Sequence, residues 1–178
     1  MGSIFHWIYC LDIPDAITLT ILATACFLFL ERRLSGRRWW KWLLTAGLLL
    51  WLGAVLYLTL ATRDADGSRL LLPPFHSYFQ AFSEGKRELL RSNFMNALLF
   101  FPAGLLAWAL LPKSLSFPKK IALVAAAALL LSLSIEAIQY FRMLGLAEAD
   151  DVIHNTLGAA LAAACCIPYK RSDDHDPN

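Results

Sequence analysis

Three stretches of this chain contain no Asp, Glu, Lys or Arg: Trp42 to Ala61, Phe94 to Leu111 and Val152 to Tyr169. A fourth, Ile121 to Phe141, is interrupted only by Glu136 and Gln139 near its end. About 20 apolar residues are what a helix needs to cross hydrocarbon. In that medium a helix satisfies its own backbone polar groups, which an open strand or loop cannot. Ile13 to Leu30 is a fifth candidate, opened by Pro14 and Asp15 and softened by Thr18, Thr20 and Thr24. Composition agrees: 17% of the 178 residues are charged, against about 25% in a soluble domain. The expected fold is therefore an all-α integral membrane helical bundle with about five transmembrane helices. A single membrane domain is expected over 13–169, followed by a polar, disordered tail at 170–178.

No Lys or Arg precedes Glu31, so the first apolar run lacks the basic start of a cleaved signal peptide and is expected to persist. The basic residues then set an orientation. Arg32, Arg33, Arg37, Arg38, Lys41, Lys113, Lys119, Lys120, Lys170 and Arg171 fall on one side of the five-span arrangement. Arg63, Arg69, Lys86, Arg87, Arg91 and Arg142 fall on the other. Positive-inside gives a multi-pass cell-membrane protein with its N-terminus outside and its C-terminus cytoplasmic. Between the second and third spans lies the longest loop, Arg63 to Ser92. Its Phe75, Phe79 and Phe82 recur at helical spacing, with Leu89 and Leu90 extending the run. That segment is expected to be a short helix in the outer interface, interrupted at Gly85. Cys10, Cys26, Cys165 and Cys166 show no metal or redox spacing and read as small buried hydrophobes. His154 stands near Asp150 and Asp151 but lacks a metal-binding motif, so no metal and no cofactor is expected.

The informative residues are the polar ones inside the spans. Glu136, Gln139 and Arg142 are spaced by three residues, and Ser132 lies one turn before Glu136. Asp151 and Asn155 are neighbours on the last helix, where Gly158 and Ala162 continue the stripe with small side chains. Asn93 and Asn96 begin the third span, and Pro102 and Gly104 allow a kink or close packing further along. An acidic residue at the bilayer centre costs roughly 2.5–3.5 kcal/mol on insertion scales, so intramembrane carboxylates usually mark function. Glu136 and Asp151 are candidate acid–base groups. Gln139, Arg142, Asn96, Asn155, Asp150 and Arg91 are candidate substrate contacts, with Arg142 or Arg91 able to orient an anion. The competing explanation is interhelical hydrogen bonding that only holds the bundle together, each bond averaging under about 2 kcal/mol.

Three segments carry a family resemblance. Asn96-Ala97-Leu98-Leu99-Phe100-Phe101-Pro102-Ala103-Gly104 resembles the N-x-x-L-F-x-P-x-G segment of the VanZ-like proteins. Ser134-Ile135-Glu136-Ala137-Ile138-Gln139 looks like that family's Ser, Glu and Gln motif. Glu148-Ala149-Asp150-Asp151-Val152-Ile153-His154-Asn155-Thr156-Leu157-Gly158 is similar to its D-x-D-D-x-x-x-N-T-x-G segment. The motif core spans 93–158. The chain departs from the pattern at Gly145 and Leu146, where an arginine is usual and Arg142 is the nearest substitute. Leu71 and Leu72 stand where an Asn often precedes the Pro-Phe pair, and Ala162 replaces a second glycine. The resemblance implies a small bacterial envelope protein of a family associated with resistance to glycopeptide antibiotics, teicoplanin above all.

These readings leave three classes open. An enzyme would use Glu136 and Asp151 on a lipid-linked or antibiotic head group. A binding module would use the same pocket without turnover. A transporter built from five short helices would have to be a homo-oligomer. Expected partners are membrane lipids and a lipid-linked envelope precursor or glycopeptide; no nucleic acid is expected.

Overall fold

A computed structural model describes residues 13–63 and 67–166. The elements run α1 (Ile13–Leu34), α2 (Arg38–Leu56), a π-helical turn (Tyr57–Ala61), β1 (Gly67–Leu71), α3 (His76–Ser83), α4 (Glu88–Leu110), α5 (Phe117–Phe141), β2 (Leu144–Glu148) and α6 (Ala149–Cys165). The chain divides into two compact units, one ending at Leu43 and one beginning at Leu44. In the first, the threonines that weaken α1 as an apolar run are internally satisfied. Thr18, Thr20 and Thr24 each donate to the carbonyl four residues earlier, which removes the cost of a free hydroxyl in an apolar setting.

Four helical segments among the described residues are long and apolar enough to cross a membrane: Ile13–Leu34, Arg38–Ala61, Glu88–Leu110 and Phe117–Phe141. Their exposed Leu, Ile, Phe and Trp side chains suit lipid contact rather than water. The fifth expected span is shorter. α6 has 17 residues, or about 25 Å of helix at 1.5 Å per residue, against a hydrocarbon core of about 30 Å. Its Asp150, Asp151, Val152, His154, Asn155, Gly158, Ala159, Ala162 and Ala163 are all buried, so it is the enclosed central helix of the second unit. Ile167 to Tyr169, and the polar tail, lie outside the described residues.

Close helix contact explains the small residues. A Cβ placed on Gly158 would meet the Ala97 carbonyl oxygen at 1.9 Å, and one on Gly104 would meet the Ala159 carbonyl oxygen at 2.4 Å. α4 and α6 therefore cross with their backbones in contact, as small residues permit in membrane bundles. α5 packs on the same helix through a core of Phe100, Val124, Ala128, Ile135, Ala159 and Ala163, joined by Val55 from α2. Trp51 of α2 donates its indole N–H to the Leu99 carbonyl of α4 at 2.9 Å.

The sequence does not announce the sheet. β1 and β2 pair in parallel, with Gly67 opposite Leu144 and Leu71 opposite Glu148. Parallel strands require a long crossover, supplied here by α3, α4 and α5. The turn from α5 into β2 uses Met143 at φ 56° and Gly145 at φ 93°. The segment expected in the outer interface is a helix only over His76–Ser83, and Gly85 at φ 73° separates it from α4. Leu89 and Leu90 belong to α4. On α3, Ser77 and Ala81 are buried while Phe79 and Phe82 are exposed. Of the described cysteines, Cys166 is buried, whereas Cys26 and Cys165 sit on exposed helix faces; Cys10 lies outside the described residues.

Candidate functional site

Alternating helix direction brings four ends together in the second unit: the end of α2, the start of α4, the end of α5 and the start of α6. These are where the polar residues lie. Two adjacent carboxylates, Asp150 and Asp151, point into two different networks.

Asp150 accepts three hydrogen bonds. One carboxylate oxygen accepts the Phe75 N–H, and the other accepts both the Ser77 N–H, at 2.8 Å, and the Ser77 hydroxyl. Ser77 in turn accepts from the Asn93 amide at 2.7 Å. Asp150 thus caps the N-terminus of α3 from another helix, meeting donors that a helix start leaves free. The cap also supports Phe75, whose φ of 61° is a left-handed conformation costing about 1–3 kcal/mol for a bulky residue. His154 extends the clasp. Its Nδ1 lies 2.5 Å from the Asp150 carbonyl oxygen and must donate there, leaving Nε2 to accept the Tyr78 hydroxyl at 2.8 Å. The imidazole stacks on the Tyr78 ring, with centroids 5.6 Å apart. Both ring nitrogens are occupied by α6 and α3.

The network around Asp151 is looser. Its Oδ1 accepts the Asn96 amide at 2.6 Å, while its Oδ2 is 3.9 Å from the Arg63 guanidinium. Arg63 also reaches Gln139 Oε1 and the Leu146 carbonyl, each at 3.4 Å. These are long, weak contacts. Gln139 donates to the Thr59 carbonyl at 3.0 Å, an acceptor within the π-helical turn. Glu136 accepts the Glu148 N–H of β2 through Oε2 at 2.9 Å; its other oxygen has no hydrogen bond among the described residues. Beneath them, Asn155 donates to Ser132 at 2.8 Å, but its Oδ1 is buried without a partner among the described residues. β2 shapes this site by placing the Glu148 N–H and the Leu146 carbonyl within reach of helix side chains. Burial pushes the Glu148 carboxyl up to about 7, with Asp151 and then Asp150 adding to the rise and Arg63 opposing it.

The structure thus gathers Glu136, Gln139, Asp151, Asn155 and Asn96, with Asp150 adjacent in its own clasp. Arg142 is not among them: it is exposed at the end of α5, where the turn into β2 carries it away. Arg91 is half-buried near the start of α4. The guanidinium beside Asp151 belongs to Arg63, which the sequence reading overlooked. A signal existed, since Arg63 is the first charge after the apolar run ending at Ala61 and lies at the polar end of its helix. Ser77 and Tyr78 carried no such signal. Among the described residues no group of three or more His, Cys, Asp or Glu side chains is placed to hold a metal.

Comparison with curated proteins and with solved structures gives no match. A family model described as VanZ/LLP1 matches residues 44–170. That range covers most of the chain, includes every element from the second half of α2 through α6, and contains both carboxylate networks. The chain belongs to the VanZ/LLP1 family.

Proposed function

We propose that the strand-bearing end of this membrane protein binds the polar head of an amphiphile at the outer face of a bacterial membrane. The observation that supports this most is the contrast between the neighbouring carboxylates. Asp150 accepts three hydrogen bonds, on both of its oxygens, from Phe75 and Ser77, as expected of a group that holds helices together. Among the described residues, one oxygen of Glu136 has no hydrogen bond, Asp151 Oδ2 has only the 3.9 Å contact with Arg63, and Asn155 Oδ1 is buried and unpartnered. A buried unmet acceptor such as Asn155 Oδ1 costs about 1–3 kcal/mol, a cost that a ligand bringing donors would relieve.

The orientation in this reading comes from the basic residues, with the N-terminus outside and the C-terminus cytoplasmic. Phe75, Phe79 and Phe82, exposed at 55%, 65% and 77%, would rest in the lipid interface beside the site. The ligand class follows from family membership together with the site: a lipid-linked envelope precursor, or the head of an amphiphilic glycopeptide. Binding there would change how such molecules meet the outer leaflet, and would connect this chain to glycopeptide tolerance.

The test is expression in a susceptible Gram-positive host. Tolerance should rise more for a lipid-tailed glycopeptide than for one lacking a tail, because only the tailed drug depends on membrane anchoring. Glu136→Gln and Asp151→Asn should each remove the increase at equal membrane abundance. An unchanged inhibitory concentration for both drugs at verified expression would contradict the tolerance reading.

A further inference from the structure

The unfilled groups of the site all have the same chemical sense. Glu136 has one oxygen without a hydrogen bond among the described residues. Asp151 Oδ2 has only Arg63 at 3.9 Å. Asn155 is 4% exposed, and its Oδ1 lies unpartnered one turn beneath Asp151, on the seam where Ser132 and Glu136 face α6. Each neighbouring amide nitrogen already donates within the protein: Gln139 to Thr59, Asn96 to Asp151 and Asn155 to Ser132. The groups left without a short hydrogen bond among the described residues are acceptors.

Its charge has the same bias. Glu136, Glu148, Asp150 and Asp151 lie at this end of the bundle, and among the described residues Arg63 contacts one of them, Asp151, at 3.9 Å, alongside Gln139 Oε1 and the Leu146 carbonyl at 3.4 Å each. Arg142, the cation that the motif spacing suggested, is exposed elsewhere. A phosphate or carboxylate entering here would bring acceptors to acceptors and negative charge to carboxylates. Inside a protein, like charges at such separations repel by several kcal/mol, about 4 at 4 Å with an effective dielectric of 20. An ammonium brings three donors and no acceptor.

We infer that the site takes an ammonium-bearing head group, a protonated amine on a membrane amphiphile, seated among Glu136, Asp151 and Asn155 Oδ1. This rests on the head-group reading above and adds the sign of the ligand's charge. Arg63 is then a resident cation that the ammonium displaces or sits beside, rather than an anchor for an anion. Phe141 and Met143, exposed at 80% and 57% where α5 ends, give the apolar part of the ligand a surface to lie against.

The experiment uses the purified full chain, equilibrated in detergent with vesicles holding equal phosphatidylethanolamine and phosphatidylglycerol, then measured by native mass spectrometry. Phosphatidylethanolamine should be retained in clear excess. Glu136→Gln should bring the two lipids to parity, because the amide keeps the Glu148 N–H bond and loses the charge. Arg63→Gln should strengthen the preference several-fold, since it removes the competing cation; an anion site would lose its ligand instead. A second arm adds free ethanolamine at millimolar concentration. Displacement of the lipid would locate recognition in the amine itself, and no displacement would show that the attached lipid is needed. Should Arg63→Gln fail to fold, the Glu136→Gln lipid ratio decides alone. Phosphatidylglycerol held in an Arg63-dependent way overturns the ammonium inference but leaves the head-group reading standing. Retention of neither lipid also overturns the ammonium inference, and the head-group reading then stands or falls on the tolerance test above.

Discussion

Gly158→Ala tests how helix packing supports the site. The added methyl would stand 1.9 Å from the Ala97 carbonyl oxygen and 2.6 Å from its carbon, against an ordinary contact of 3.4–4 Å. Both atoms are helical backbone, so no side-chain rotation relieves the clash. α4 and α6 must separate locally by about 1.5 Å, far up the repulsive wall of a contact worth only tenths of a kcal/mol. The same separation carried to the first turn of α6 would stretch the Asn96–Asp151 bond, 2.6 Å long, to about 4 Å, beyond hydrogen-bonding range. Overpacking costs about 1–3 kcal/mol, and the disturbed polar contacts about 1–3 more. For a chain of this size, 1 kcal/mol corresponds to about 2–4 °C, so the melting temperature of the detergent-solubilised protein should fall by about 10 °C. Gly53→Ala is the control: nothing lies within 4 Å of its Cβ, and alanine is the better helix former by about 0.5–1 kcal/mol. A Gly158→Ala protein that melts with the Gly53→Ala control would refute the claim of backbone contact.

Glu148 gives a pH signature. Its carboxyl is raised to about 7 beside Asp150, Asp151 and Arg63, so between its ordinary value near 4.5 and about 7 the folded state holds the extra proton. Stability should therefore decline as pH rises through that window and level off above it. Glu148→Gln should flatten the decline and melt higher than the parent at pH 8; parallel melting curves from pH 5 to 8 would show that burial of this carboxyl costs nothing. Orientation is checked by single cysteines in a background lacking the native four. Ser83→Cys, on the exposed end of α3, should react with an impermeant thiol reagent on whole cells, and Ser116→Cys should not. The reverse pattern would put the site in the cytoplasm.

The apolar runs made the membrane helices legible, because a span is defined by composition over a length that few other structures use. The polar stripe was legible for the same reason: Glu136, Gln139, Asp151 and Asn155 are conspicuous where charge is costly, and helical spacing puts each pair on one face. The sheet was not. Gly67 to Leu71 and Leu144 to Glu148 are five-residue segments, and their pairing is decided by where α4 and α5 bring them. The guanidinium beside Asp151 was not legible from spacing. Arg142 follows Gln139 by three residues but is exposed at the C-cap of α5, whereas Arg63 reaches Asp151 from just past the π-helical turn, which no periodicity along α5 could reveal. Nor could spacing distinguish Asp150 from Asp151. Successive helix positions differ by about 100° in direction, and only the packed structure shows that one meets α3 while the other meets Asn96 and Arg63.

That division of labour is most directly measured by comparing Asp150→Asn with Asp151→Asn in the full chain, reading melting temperature in detergent beside glycopeptide tolerance in cells. At position 150 the new amide would point donor hydrogens at the Phe75 or Ser77 N–H. The clasp on α3 should weaken by about 1–3 kcal/mol, lowering the melting temperature. At position 151 the amide oxygen can still accept from Asn96, so the melting temperature should hold while tolerance is lost. Equal destabilisation by the two substitutions, or full tolerance with Asp151→Asn at normal abundance, would contradict the account and leave both carboxylates as supports of the bundle.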